Sequence, residues 1–339
     1  MNSDIIKAKA KLPIDFINDL YKDLGERNAD KCLEGMCKKR FTTLRVNTLK
    51  SNKETIKKCF DEQVIIYEEV IWHENAFIIK NKNEEDLQKL DIYKEGKIYL
   101  QSLSSMIPPL VLEPKENEKI LDLTAAPGSK TTEISALTNN KSNILANEID
   151  KIRFERLKYN INLQGSNAKA INEDGVNIGD KYPNYFDKVL IDAPCSGEGR
   201  FILEDAKTYS KWSEKLKHEL SILQEKLLLS AIKSTKKGGT IVYSTCTLNK
   251  EEDENIVNKV IQKYNSQAEI DNIQENSAKI KIENIDFSLK NTIKVKHENG
   301  NRSLKIIPSE IMEGFYIAKL RKIWYTLRSL LKLNFIKYT

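Results

Sequence analysis

From Lys119 onward, short apolar runs alternate with helical stretches, and this alternation restricts the possible folds more than any other feature of the chain. KILDL (119–123), NILANEID (143–150), AKAIN (168–172), FDKVLIDAP (186–194) and TIVYST (240–245) read as strands. SKTTEISALT (129–138), KIRFERLKYNINLQG (151–165), a long stretch from Tyr209 to Lys236 and a last one from Glu251 to Tyr264 read as helices. The long helix is predicted to stop at Gly238-Gly239. Parallel strands require such crossovers, so the pattern predicts an α/β, doubly wound sheet. A polar stretch, 266–301, is predicted to be loops, and LKIIPSEIMEGFYIAKLRK (304–322) to close the sheet as two antiparallel strands. Ligands of such sheets gather at the carboxyl ends of the strands.

The first hundred residues read differently, as a small α+β unit. LPIDFINDLYKDLG has helical spacing and stops at Gly25, FTTLRVNTLK is strand-like, and EEVIWHENAFIIK reads as a hairpin around His73 to Asn75. IYLQSLSSMIPPLVL then leads through Pro108-Pro109 into the second half. The predicted division is 1–100, 101–322 and an apolar-basic tail, 323–339. Of the residues, 40% are hydrophobic and 31% charged. No apolar run approaches the ~18 residues of a bilayer span, and the N-terminus lacks the pattern of a secretory signal. Five cysteines (Cys32, Cys37, Cys59, Cys195, Cys246) form no CxxC pair, which argues against a zinc site or a disulfide framework. The expectation is a cytoplasmic monomer with no metal and no membrane partner. Net charge is +6, and it is unevenly placed: Met1 to Phe60 holds 14 Lys/Arg against 8 Asp/Glu, and after Glu313 there are 6 basic residues and no acid. Such clusters attract polyanions.

Three strand ends carry candidate ligand groups. After the first strand comes LTAAPGSKT (123–131), whose small residues and single glycine let a backbone approach a ligand. It is neither the GxGxxG of a dinucleotide site nor a P-loop. Glu148 ends the second strand, where a carboxylate can accept both ribose hydroxyls, and Asp174 follows the third, where it can accept from an adenine amino group. An adenosine ligand without a phosphate loop points to S-adenosyl-L-methionine. Two further strand mouths each present a cysteine: Cys195 in IDAPCSGEG (191–199) and Cys246 in IVYSTCTLNKEEDEN (241–255).

Together LDLTAAPGSKT, ANEIDKIR, DAPCSGEG, YSTCT and GFYIAKLRK, with LRVNTLK and QSLSSMIPP before them, resemble the Nop/Sun family of S-adenosylmethionine-dependent RNA cytosine-C5 methyltransferases, in the family's order from Phe41 to Lys322. The resemblance implies a Rossmann-like class I methyltransferase fold, a mostly parallel sheet with an antiparallel last strand, preceded by a small α+β RNA-binding domain. It implies an RNA substrate, ribosomal RNA ahead of transfer RNA. It also implies that Cys246 is the nucleophile, that Cys195 helps resolve the adduct and that Asp192 contacts the base. Thr124, Ala125, Ala126, Pro127, Gly128, Ser129, Lys130, Glu148, Arg153, Asp174 and Asp192 would line the cofactor site. The chemistry accounts for two cysteines. Carbon-5 of cytosine is a poor nucleophile until a thiolate adds to carbon-6, and the thiolate must later be expelled. Asp192 in its acid form would donate to the ring nitrogen, and Pro194 would stiffen the loop. Ser129 stands where the family often has a second glycine, and after Lys322 only the tail follows.

Other readings fit less well. A DNA cytosine methyltransferase would carry PCQ at the fourth strand, and an adenine-amino enzyme [DN]PP[YFW]. A catalytically silent RNA-binding assembly factor is the alternative from another class. Arg45 to Asn47 either contact RNA or pack against the catalytic domain; the three histidines receive no role, and Trp72, Trp212 and Trp324 are expected in core or interface.

Overall fold

The computed structural model describes residues 2–270, 278–287, 289, 292–297 and 300–324. Residues 325–339, most of the predicted tail, lie outside the described residues.

Three short helices, Ser3–Lys11, Ile14–Leu24 and Glu26–Met36, open the chain. The second ends where the sequence indicates, at Gly25 with φ +73°, a conformation that favours glycine. Its buried face (Phe16, Ile17, Leu20) joins Cys32, Leu33 and Met36 in a cluster completed by Phe201, Leu203, Trp212 and Leu248. The Phe16 ring lies 5.0 Å from that of Phe201, tilted by 59°, and meets Trp212 edge-on at 5.9 Å. These helices therefore pack on residues that follow the strands Phe186–Asp192 and Thr235–Thr245.

The next residues form an antiparallel sheet of β1 (Thr42–Val46), β2 (Tyr67–Glu69), β3 (Ala76–Ile79) and β4 (Ile98–Leu100), in the order β2-β3-β1-β4. The β2–β3 hairpin turns at the predicted place. Pro108 and Pro109 lie inside a helix, Leu103–Leu112, rather than between elements. Ser102 caps its start, and the buried Lys188 ammonium donates to the carbonyls of Leu112 (2.9 Å) and Glu113 (3.0 Å) at its end.

The large sheet contains β5 (Lys119–Asp122), β6 (Asn143–Asn147), β7 (Lys169–Ile171), β8 (Phe186–Asp192), β9 (Thr235–Thr245), β10 (Ala278–Glu283), β11 (Thr292–Lys296), β12 (Arg302–Ile306) and β13 (Phe315–Trp324). Its order is β11-β12-β13-β9-β8-β5-β6-β7. The strands from β5 to β9 are parallel, whereas β13 runs antiparallel to β9 and to β12. This is the doubly wound sheet that the alternation predicts, with its order reversing at β5/β8. Apolar clusters fill both faces, as in a sheet covered by helices on each side.

Two local expectations need correction. The long helix runs only from Glu214 to Ser234, and Thr235 is already extended and begins β9. Gly238 (φ +82°) and Gly239 sit within that strand, opposite the irregular register between Phe186 and Lys188. A Cβ on Gly239 would come within 2.9 Å of the Asp187 carbonyl, so the pair marks a bulge and close approach, not a helix stop. The stretch 266–301 is not all loop either, because the helix Glu254–Ile270 runs into it and it contains β10 and β11. β10 pairs with the far half of β13 and buries alternate residues Ala278, Ile280 and Ile282.

Candidate active site

The turn between β5 and helix Ser129–Leu137 is held from three sides. Ala125 N–H donates to the Asn147 carbonyl (2.8 Å), Thr124 Oγ1 to the Asp192 carbonyl (2.9 Å), and Gly128 N–H to the Ala125 carbonyl (2.7 Å). The Ala126–Pro127 peptide is cis, and Gly128 has φ +106°, with Leu157 Cδ1 only 3.2 Å from where a Cβ would stand. From the helix Lys151–Leu163, Arg153 donates to the Ala126 carbonyl (2.8 Å) and Asn160 to the Pro127 carbonyl (2.7 Å). Arg153 also lies 3.5 Å from Glu148, whose buried carboxylate accepts the Asp150 N–H (3.0 Å). The turn, Glu148 and Arg153 thus form one assembly, and Arg153 serves the turn through its backbone. Asp174 is exposed on the next loop and caps the helix Gly175–Lys181 through Val176 N–H (2.9 Å).

Asp122, at the end of β5, was not among the sequence candidates. It is buried, it accepts from Thr131 Oγ1 (2.6 Å), and its second oxygen has no partner. Burial pushes its pKa up to about 7, against the pull of Thr131 and Lys130. An unpartnered buried oxygen next to a turn of small residues, with a strand-end carboxylate alongside, fits a polar ligand such as an adenosyl amino acid.

The second half of the site brings the two cysteines together. Cys195 Sγ and Cys246 Sγ lie 3.2 Å apart, from the loops after the neighbouring strands β8 and β9. The hydrogen bond to Cys246, and then burial, hold the Cys195 thiol well above its ordinary range. The loops are locked to each other by Gly199 N–H donating to the Cys246 carbonyl (2.9 Å). Gly199 also packs against Gly314, whose carbonyl would stand 2.0 Å from an added Cβ. Arg40 donates to the carbonyls of Gly199 (3.1 Å), Arg200 (3.2 Å) and Phe201 (3.1 Å), fixing the same turn from the N-terminal side.

Beside the thiols, Asp192 ends β8 with both oxygens accepting: Oδ2 from Lys130 Nζ (2.6 Å) and Oδ1 from Ser244 Oγ (2.9 Å). Lys130 also donates to Ser105 Oγ (2.8 Å). Lys130 is buried and is not a surface lysine. In this arrangement Asp192 is an acceptor, and the ammonium of Lys130 supplies the protons next to it.

Arg45 packs against the catalytic domain. Its guanidinium is 1% exposed and reaches Gln101 Oε1 (2.8 Å), Thr132 Oγ1 (2.7 Å) and the Ser129 carbonyl (3.1 Å). Glu133 completes the cluster, accepting from Gln101 Nε2 (2.9 Å) and meeting His73 Nε2 at 3.1 Å. Asn47 is buried too, donating to the carbonyls of Gly96 and Gln164, both at 2.8 Å. His73 therefore has a place that the sequence did not announce. Trp212 is buried with Nε1 on Glu198 (2.9 Å), Trp72 packs against Phe287, and Trp324 is exposed over Lys237.

Residues 109–321 match the family described as 16S rRNA methyltransferase RsmB/F, and residues 12–103 match the N-terminal domain of 16S rRNA methyltransferase RsmF. A tRNA (cytosine(49)-C(5))-methyltransferase of Pyrococcus abyssi is 37% identical over 83% of this chain and 88% of its own length. A ribosomal RNA small subunit methyltransferase F of Shewanella sp. (strain ANA-3) is 35% identical over 77% of this chain, which spans 55% of that relative. The crystal structure of a methyltransferase homolog protein from Pyrococcus horikoshii superposes with a TM-score of 0.76 at 27% identity, covering 95% of this chain and all of the other. The first of these family matches covers more than half of the chain, and the relatives named are RNA methyltransferases: the chain belongs to the Nop/Sun family of RNA cytosine-C5 methyltransferases.

Proposed function

We propose that this protein transfers a methyl group from S-adenosyl-L-methionine to carbon-5 of a cytosine in structured RNA, through a covalent adduct between Cys246 and carbon-6. The observation that carries this reading is the pair of thiols 3.2 Å apart at the mouths of β8 and β9, beside a Lys130–Asp192 pair. When bound, S-adenosylmethionine supplies an electrophilic methyl group. Glu148 would hold its ribose, the turn 124–129 and Lys130 would border its amino-acid end, Arg153 would steady the turn, and Asp174 would lie toward the adenine.

Cys246 attacks carbon-6 as the thiolate, and Asp192 with Lys130 contacts the polar edge of the ring, drawing electron density toward it. Carbon-5 then carries enamine character and accepts the methyl group. Water takes the carbon-5 proton, the electron pair of that bond restores the carbon-5–carbon-6 double bond, and Cys246 leaves carbon-6 as the thiolate. Cys195, whose sulfur lies 3.2 Å from that of Cys246 and whose pKa is raised by that contact and by burial, is placed to assist that release. The target cytosine must leave its stack to reach the thiols, which favours single-stranded or opened RNA. We place the RNA against the N-terminal unit, whose first 60 residues hold 14 Lys/Arg against 8 Asp/Glu, with ribosomal RNA ahead of transfer RNA as substrate.

Bisulfite sequencing of RNA from cells with and without the gene tests the reading. One cytosine protected only when the gene is present is the expected result. Identical protection maps, together with no transfer of labelled methyl groups by the purified protein to RNA from the deletion strain, would refute it.

A further inference from the structure

Glu252 has no part in the mechanism above, yet it touches the flanks of both cysteines. It lies in the turn between Cys246 and the helix Glu254–Ile270 and is fully buried. One carboxylate oxygen accepts from Ser196 N–H (2.9 Å) and from Gln224 Nε2 (2.9 Å), and the other accepts from Ser196 Oγ. Ser196 Oγ also meets Thr247 Oγ1 at 2.9 Å, and Gln224 Nε2 donates to the Pro194 carbonyl (2.8 Å). The residues on either side of Cys195 and the residue after Cys246 are therefore gathered on one carboxylate and its glutamine. Tyr243 OH anchors the other end by donating to the Glu252 carbonyl (2.7 Å).

A buried carboxylate is costly unless its oxygens are satisfied by donors, and charge-assisted hydrogen bonds are short and directional. A brace of this kind tolerates little displacement of what it holds. The two cysteines come from separate loops, which backbone bonds join at Ala193 N–H to the Ser244 carbonyl (2.8 Å) and at Gly199 N–H to the Cys246 carbonyl (2.9 Å), while the Glu252 contacts hold the residues that flank the sulfurs.

We infer that Glu252 is a positioning residue that sets the approach of Cys195 to Cys246 by tying both loops together through Ser196, Gln224 and Thr247. The geometric claim stands on these contacts, and its consequence for turnover rests on the covalent reading above. Cys246 needs only the base in order to attack, whereas Cys195 must stand beside an adduct already formed. Loosening the brace should then slow release more than attack.

Disulfide trapping reads the sulfur approach without RNA or cofactor. Diamide takes two electrons and two protons from a pair of thiols, leaving a disulfide and the corresponding hydrazine. In the full-length protein, the rate of Cys195–Cys246 disulfide formation would be followed by peptide mapping. Alkylation of Cys59, in the small N-terminal unit, serves as the control for an intact fold. Glu252→Gln is expected to slow the disulfide by on the order of tenfold, and Ser196→Ala by several-fold, because close placement governs such intramolecular reactions. Cys59 labelling should not change. Should Glu252→Gln fail to fold, Ser196→Ala, a smaller change, decides alone. An unchanged disulfide rate in a folded variant overturns the inference. A slowed disulfide without accumulation of the RNA adduct would uphold the brace and instead count against the role assigned to Cys195 in release.

Discussion

Cys246→Ala is expected to reduce methyl transfer to RNA by on the order of 10⁴-fold or more, since loss of the attacking group in covalent catalysis removes most of the rate. Cofactor and RNA binding should persist, because Cys246 takes no part in the turn 124–129 or in the Glu148–Arg153 contact. Its side chain only borders the core, so its truncation leaves little void. Cys246→Ser should fail almost as completely: a hydroxyl in the same place is scarcely ionised at neutral pH and adds to carbon-6 far more slowly. Single-turnover transfer of a labelled methyl group measures the effect. Residual activity within tenfold of the natural protein in either variant would mean that another group attacks, or that no covalent step occurs.

The largest effect on stability is expected at Lys305→Met. Lys305, on β12, is fully buried and lies 3.0 Å from Asp253 and 3.1 Å from Glu254, while its ammonium donates to the Leu248 carbonyl at 2.7 Å. Burial alone would lower its pKa, but the two carboxylates outweigh that and leave it raised. Thr245 Oγ1 also donates to Asp253 (2.6 Å), so the whole loop from 245 to 254, with Cys246 inside it, hangs on this cluster. Removing one partner of a buried ion pair leaves the other charge uncompensated and costs about 3–5 kcal/mol. Urea denaturation of Lys305→Met should show a loss of that order. Lys305→Met combined with Asp253→Asn should recover part of it, because one of the two carboxylates left without the ammonium is then neutral. A denaturation midpoint equal to that of the natural protein would show that the cluster contributes nothing net.

The sequence made the strands and the reactive residues legible for different reasons. The buried stretches Ile120-Leu121 of β5, Val189 to Ile191 of β8 and Ile241 to Tyr243 of β9 read as apolar runs, and the turns after them carry small residues after β5 and cysteines after β8 and β9. Glycine is ambiguous by nature. Gly25 ends a helix, whereas Gly238-Gly239 bends a strand, and only the close approach of the Asp187 carbonyl distinguishes the second case. β10 was hidden by its lysines and glutamate, although its every-other-residue burial of Ala278, Ile280 and Ile282 follows the strand period and was the available signal.

The buried polar groups were the least legible. His73 meets Glu133 sixty residues away, and Arg45 reaches Thr132 from another sheet, so nothing local marks either as a network residue. Glu252 offered a weak signal, as one acid among four in EEDE just after the second cysteine. Only the fold shows that Glu252 turns inward to Ser196 while Glu251 meets the exposed His218. The placement of Lys130 on Asp192 was likewise beyond reach, since the two residues are 62 positions apart and meet only through the fold.

The most direct test of the account is a denaturing gel of the protein mixed with substrate RNA and S-adenosylmethionine. Cys195→Ala keeps the attacking thiol and loses the group set 3.2 Å from it, so attack and methylation can proceed while release stalls. A protein–RNA band that survives denaturation is expected for Cys195→Ala, and none for Cys246→Ala or for the double substitution, because formation precedes release. The band should appear for Cys246→Ala and be absent for Cys195→Ala if the roles are exchanged, which would contradict the assignment made here. No band from either variant, with both still methylating RNA, would contradict the covalent mechanism itself.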